Sequence, residues 1–388
     1  GVLRALMLAL CAVPAAWLSA QAAAPRSLPG KAPLLARSCI IKPPDIAPLF
    51  PSPSATGAAA AKASEDETDD DDDDAEDEDD APGLILPGSA TCLAISGTVT
   101  AGLQFDSYRI PKAGDAVPKP TFSWQTTASL RIATAHDLAS GLRVGTAFEM
   151  SLAPNAGQPD TVTIEEATVT LGTMTFGLAT SRFSFWTGEE FAFSTRLPSR
   201  NVGLIAWERD LTDRWNLALS LEDPTLATTA TVPVLNGRVP DGIARLTYAN
   251  GPLTVHLAGA LRDVPGSASK LGRAGIVGAT YELSVLGRPG EVTAQIAGAV
   301  DAAPYIGSSL DATIISQILT SADSTRGFSA VLSARREWTD ELASNVYISR
   351  YQITVPLVDL SKGKLQIDRL TANLVWTPVE GFKAGIEG

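Results

Sequence analysis

The chain has 388 residues, 45% hydrophobic and only 6% aromatic, with 32 Gly and 26 Pro, enough for one large core or two smaller ones. Its 43 Asp and Glu exceed 30 Lys and Arg by 13, which argues against nucleic acid as a partner because nothing neutralises a row of phosphates. Two His leave little material for a histidine-rich metal site.

Residues 1–22 read as an export signal: Arg4, an apolar run from Ala5 to Leu18 too short to span a bilayer, and a small-residue cleavage motif at Ala20-x-Ala22. Cleavage would remove Cys11 and leave Cys39 and Cys92. An isolated pair in an exported protein can form one disulfide, whereas a zinc site needs more ligands.

Residues 23–91 show no convincing periodicity. Pro43-Pro44, Pro48, Pro51 and Pro53 stiffen one part, and residues 65–80 hold 14 acidic side chains with no Lys or Arg. Packing those carboxylates together would be costly, so the segment reads as solvated and disordered. A sharper reading is weak binding of calcium or other divalent ions, but the spacing is not that of an EF-hand, and no metal motif is assigned. Outside this tract 29 acidic residues face 30 basic ones, a charge density low for a soluble surface.

From residue 92 onward apolar residues return at every second position, the period of a strand. Trp215, Leu217, Leu219 and Leu221 alternate with Asn216, Ala218, Ser220 and Glu222, and Leu253, Val255, Leu257, Gly259 and Leu261 continue the theme. Such runs predict fifteen strands at 93–109, 121–136, 141–151, 161–171, 174–183, 202–210, 214–222, 241–249, 252–262, 271–284, 290–300, 326–338, 341–353, 364–376 and 382–388. Asn250-Gly251, 137–141, 210–213 and 338–341 are brief reversals, and 184–201, 223–240 and 301–325 are long links at the opposite ends.

A soluble sandwich would carry many Lys, Glu and Asp on its second face, whereas several strands here interleave Ala, Ser, Thr and Gly. The expected fold is therefore an all-β transmembrane antiparallel β-barrel over 92–388. Bacterial barrels have an even strand number, so sixteen are expected in a full-length protein, with this sequence ending inside the fifteenth.

Enzyme motifs are missing: there is no GxSxG, GxxxxGK[ST] or HExxH, and no catalytic residue or cofactor is assigned. Glu165-Glu166 would suit paired-carboxylate chemistry, but neighbours in a strand should point to opposite faces.

Several segments carry a resemblance. Ala90 to Val99 resembles the opening strand of the general porins of alphaproteobacterial outer membranes, with Cys39 similar to that family's upstream cysteine, although the insertion between the cysteines is much longer here. Arg182-Phe183-Ser184-Phe185-Trp186 is similar to the family segment leading into loop three, Leu217 to Pro224 to a strand-end signature, and Asn373 to Val379 to the penultimate hairpin. The resemblance implies a sixteen-stranded, trimeric barrel with loop three, about Ser184 to Val202, folded inward as a constriction holding Glu189, Glu190, Arg196 and Arg200.

The basic side of a constriction would come from lumen-facing strand residues, for which Arg131, Arg143, Arg245, Arg262 and Arg335 are candidates, because a charged head in a strand avoids lipid. Each has a bland alternative as a salt-bridged rim residue. Trp186, Trp207, Trp215, Trp338 and Trp376 fall near strand ends, where girdles form. The resulting expectation is passive diffusion of small hydrophilic solutes and ions, with outer-membrane lipid, lipopolysaccharide and two further copies as partners; loading of a nearby pore with negative potential belongs to the sharper alternative for the acidic tract, beside its reading as a disordered insertion. The alternative is a non-conducting surface barrel acting as a structural protein or adhesin.

Overall fold

A computed structural model of the chain describes residues 38–41, 81–85, 89–106, 121–154, 161–185, 200–224, 239–263, 271–307, 325–356 and 362–388. The export signal and the acidic tract lie outside the described residues, as do Glu189, Glu190, Arg196 and Trp186.

Two short strands, β1 (Ser38–Ile41) and β2 (Ala81–Ile85), precede fifteen longer ones. These are β3 (Cys92–Asp106), β4 (Thr121–Asp137), β5 (Arg143–Ala153), β6 (Thr161–Leu171), β7 (Met174–Thr180), β8 (Asn201–Thr212), β9 (Trp215–Glu222) and β10 (Asp241–Asn250). They continue as β11 (Leu253–Asp263), β12 (Leu271–Val285), β13 (Arg288–Val300), β14 (Arg326–Glu337), β15 (Leu342–Pro356), β16 (Lys362–Val379) and β17 (Phe382–Glu387). All fifteen expected strands are present, with ends moved by at most three residues.

Each strand pairs antiparallel with the next, from β1 through to β17. Short turns join alternate pairs at one rim. In the β10–β11 hairpin Asn250 pairs with Leu253, so the two turn residues are Gly251 and Pro252, one position later than the Asn-Gly dipeptide suggested. Gly251 supplies the turn's positive φ of 54° without a Cβ penalty.

Exposure along these strands is the inverse of a soluble protein's. In β9 Trp215, Leu219 and Leu221 are exposed while Asn216, Ser220 and Glu222 are buried. In register, Leu217, Leu246, Leu257, Val277 and Ile296 form one outward aliphatic row across five strands. On β3 the outward Val99 is 80% exposed, and Ile95 and Leu103 lie on the same face. Apolar surface this continuous would be costly in water, and it fits a wall whose outside meets hydrocarbon. Closing a sheet satisfies every backbone group without a helix, and among the described residues no helix is long and apolar enough to cross a membrane.

Aromatics mark both rims. Trp207, Trp215, Trp338 and Trp376 lie at the short-turn rim, where Trp215 stacks on Tyr248 at 4.8 Å and Trp376 meets Phe382 at 6.4 Å. Phe105, Phe122 and Trp124 lie at the opposite ends of β3 and β4.

Sequence periodicity missed β1 and β2, because four and five residues are too few to show an alternation. They are held at the start of β3 by the Cys39–Cys92 disulfide, Cα atoms 6.0 Å apart, and by the Leu84–Leu93 and Ile85–Cys92 register. Ile41 pairs with Ala81, so both ends of the acidic connection are pinned side by side.

Candidate functional site: the lumen wall and its inward loops

The inner face divides into two regions. Along β3 to β6 it is largely accessible, whereas along β8 to β15 many inward residues are buried. Two segments cover that second wall: Ser181 to Phe185, at the start of the link between β7 and β8, and the 3-10 turn Ala303–Ile306 after β13. Phe183, Phe185, Tyr305 and Ile306 pack there against Ile243, Ala260, Ile276, Ala297, Tyr351 and Ile353. The inner wall is apolar where these loops seat on it, so the inward folding is driven by burial.

Gly278 makes room for this docking, because a Cβ at that position would overlap the Phe185 ring. The same ring lies 4.9 Å from His256, whose Nε2–H donates to the Phe183 carbonyl at 3.3 Å. A carbonyl only accepts, which fixes that nitrogen as the donor.

Around the aromatic seat is a charged network. Glu222 accepts Ser181 Oγ at 2.6 Å, the Arg182 backbone N–H at 2.9 Å and Ser220 Oγ at 2.9 Å. Asp241 accepts the Tyr305 hydroxyl at 2.8 Å and lies 3.6 Å from Arg200 and 3.8 Å from Arg262. Burial pushes the Tyr305 hydroxyl above the usual phenol range, which keeps it protonated as this donor. Glu208 is ion-paired with Arg245, which also donates to Asn216 at 3.2 Å, and lies 3.4 Å from Arg182. Arg262 donates to the Pro224 carbonyl at 2.8 Å, and Arg200 lies 4.4 Å over the Tyr305 ring. Four arginines thus face three carboxylates, and Glu222 and Asp241 are fully buried, where an unpaired charge would be costly.

The accessible wall carries a second group. Arg131 Nε lies 3.1 Å from Glu166 Oε2, and Glu165 accepts Ser151 Oγ at 2.8 Å and Asn201 Nδ2 at 2.9 Å. A β-bulge in the β5–β6 pairing makes Glu149 face Glu166 and Met150 face Ile164, leaving Glu165 as the extra residue. Both carboxylates consequently reach the inner face, contrary to the alternation expected from sequence.

The arginines named from sequence separate into these settings. Arg200, Arg245 and Arg262 meet in the buried network, Arg131 lies on the accessible wall, and Arg143 pairs with Asp137 at 2.9 Å beside the β4–β5 turn. Arg335 lies 3.4 Å from Glu337 near the β14–β15 turn, while Arg336 stacks 4.2 Å over Trp338 at the same rim. Sequence reasoning did not select Arg182, Glu208, Glu222, Asp241 or Tyr305. The rule that picked the arginines, a charge inside a lipid-facing strand, would have found Glu208 and Glu222.

The sequence matches no family model and no curated protein. Among solved structures, the outer membrane channel DcaP of Acinetobacter baumannii is similar over 77% of this chain and 90% of its own, at 19% identity and a TM-score of 0.60. OmpF of Salmonella typhi, solved with daunomycin, matches 77% of this chain and 89% of its own at 11% identity and a TM-score of 0.51. With this geometry, the likeness gives the chain the porin-like antiparallel β-barrel fold of bacterial outer-membrane channels.

Proposed function

We propose that the protein is a passive diffusion channel for small hydrophilic solutes and ions across the bacterial outer membrane. The observation that carries this reading is the inverted wall: aliphatic rows outward, Arg, Glu, Asp, Asn and Thr inward, and two loops docked within. Solutes would pass between the docked loops and the accessible inner face of β3 to β6, moving down their gradients with no bond chemistry and no cofactor. Charge on both sides of that path would select among them. On the accessible side the candidates are Arg131, Glu165 and Glu166, with Arg200 on the other; the loop-three residues Glu189, Glu190 and Arg196 remain candidates from the sequence.

Arg245 and Arg262 would serve this channel by fixing the docked loops, Arg143 by closing the β4–β5 turn with Asp137, and Arg335 by pairing with Glu337 along β14 near the rim. The matching segments, in the same order from Ala90 to Val379, support kinship with the alphaproteobacterial general porins, and with it a homotrimer embedded among lipid and lipopolysaccharide. Planar-bilayer recording of the full-length protein tests the proposal. Stable open channels are expected, and a folded barrel that stays electrically silent would favour the structural or adhesin reading instead.

A further inference from the structure

We infer that the segment Asp301–Gly307, between β13 and β14, is a second constriction element, latched to the root of loop three through Asp241. This deepens the channel reading and rests on it.

Four observations lead there. First, Ala302, Ala303, Tyr305 and Ile306 are each at most 1% exposed although they belong to a connection between strands, so the segment lies against the inside of the wall. Second, its first residue is fixed beside the start of β14: the Asp301 backbone N–H donates to the Thr325 carbonyl at 2.8 Å, and the Thr325 N–H donates to Asp301 Oδ1 at 3.0 Å. Third, its seat is shaped for it, since a Cβ on Gly327 would crowd Ile306 Cδ1 and the Gln352 carbonyl. Fourth, it touches the loop-three root directly, with the Tyr305 and Phe183 rings 4.9 Å apart at 66°.

Asp241 joins the two inward segments. Its carboxylate accepts the Tyr305 hydroxyl and lies beside Arg200, the described residue at the far end of the β7–β8 link, while Arg200 also covers the Tyr305 ring. Arg262 holds the same carboxylate from β11. The 301–307 segment cannot leave the wall without breaking the Tyr305–Asp241 bond and its Phe183 contact, and the far end of the loop-three link is tied to the same carboxylate through Arg200, so the two move as a unit. Asp241 is therefore a positioning residue, and the width of the aqueous path depends on both loops.

The test uses the full-length protein in planar bilayers, with Tyr305→Phe, which keeps the ring and deletes only the hydroxyl, and Asp241→Asn as the second variant. Heat-modifiable gel migration reports whether each barrel is folded. Losing a hydrogen bond to a charged group should raise the occupancy of loop-displaced conductance states on the order of tenfold. The largest neutral polymer that still enters the pore should also increase, a readout that a purely stabilising residue would not move.

Folded variants with parental noise and parental polymer cut-off would overturn the inference while leaving the channel standing. A silent parent protein would instead overturn the channel reading beneath it. If Asp241→Asn does not fold, Tyr305→Phe alone decides.

Discussion

Glu165 and Glu166 are adjacent in β6, yet both face the lumen, Glu166 toward Arg131 and Glu165 toward Ser151. Val162 and Ile164 point outward before them and Val169 and Leu171 after them, so the outward positions change from even to odd across the bulge. One inserted residue thereby places both β6 carboxylates on the inner wall. Replacing both by Gln should shift the reversal potential in a salt gradient toward weaker cation preference, because Arg131 is left without its partner on that wall. An unchanged reversal potential would remove the pair from the filter.

The loop-three carboxylates make a parallel case. Glu189→Gln with Glu190→Gln should weaken cation preference if these residues line the path. If neither selectivity nor conductance changes, the acidic side of the constriction is supplied elsewhere, with Glu165 and Glu166 the first alternatives.

Gly278 tests the docking of the loop-three root. Gly278→Val should expel the Phe185 ring from its seat beside His256, because the added side chain occupies the same space. Single-channel recordings should then show altered conductance and more frequent substates in a barrel that remains folded. Recordings identical to the parent's would mean that Phe185 does not set the loop's position.

Arg245 is 5% exposed and holds Glu208, itself 2% exposed. Arg245→Met should destabilise the barrel by about 3–5 kcal/mol, since it leaves a buried carboxylate with Arg182 alone as cation partner. Pairing it with Glu208→Gln should recover much of that loss. Denaturant unfolding in detergent micelles measures both, and a double variant no better than the single would contradict the ion-pair account.

The acidic connection is testable through its anchorage. Ile41 and Ala81 pair beside the disulfide at the start of β3, which fixes where the connection begins and ends. Deleting residues 65–80 should change the cation-to-anion permeability ratio if those charges act on the path. The same ratio with and without them would assign the tract no part in permeation.

Much of the fold was legible because a membrane wall imposes a strict two-residue period. Trp215 to Glu222 declares which face is which from sequence alone, and the structure returns the same division. The short β1 and β2 were not legible, since a disulfide and two register pairs hold them in place rather than a long periodic pattern. At the site, Arg245 and Arg262 were visible as strand charges that lipid would reject, and Arg200 through the resemblance of its segment to loop three. Asp241, the partner of Arg200 and Arg262, stands at the first position of β10, where a loop reading is equally natural. Tyr305 lies in a link with no periodicity, and the Glu165 bulge breaks the very rule by which the strands were read.

In this wall, alternate residues of one strand meet lipid and water. Single cysteines at Thr98 and Val99 in β3, introduced into the full-length protein in bilayers, test it most directly. Cysteine at 98 should react with a membrane-impermeant charged thiol reagent. Cysteine at 99 should resist that reagent, and a fluorophore placed there should be quenched by brominated acyl chains. Equal reaction of both with the charged reagent, with no quenching at either, would contradict a wall between hydrocarbon and an aqueous lumen.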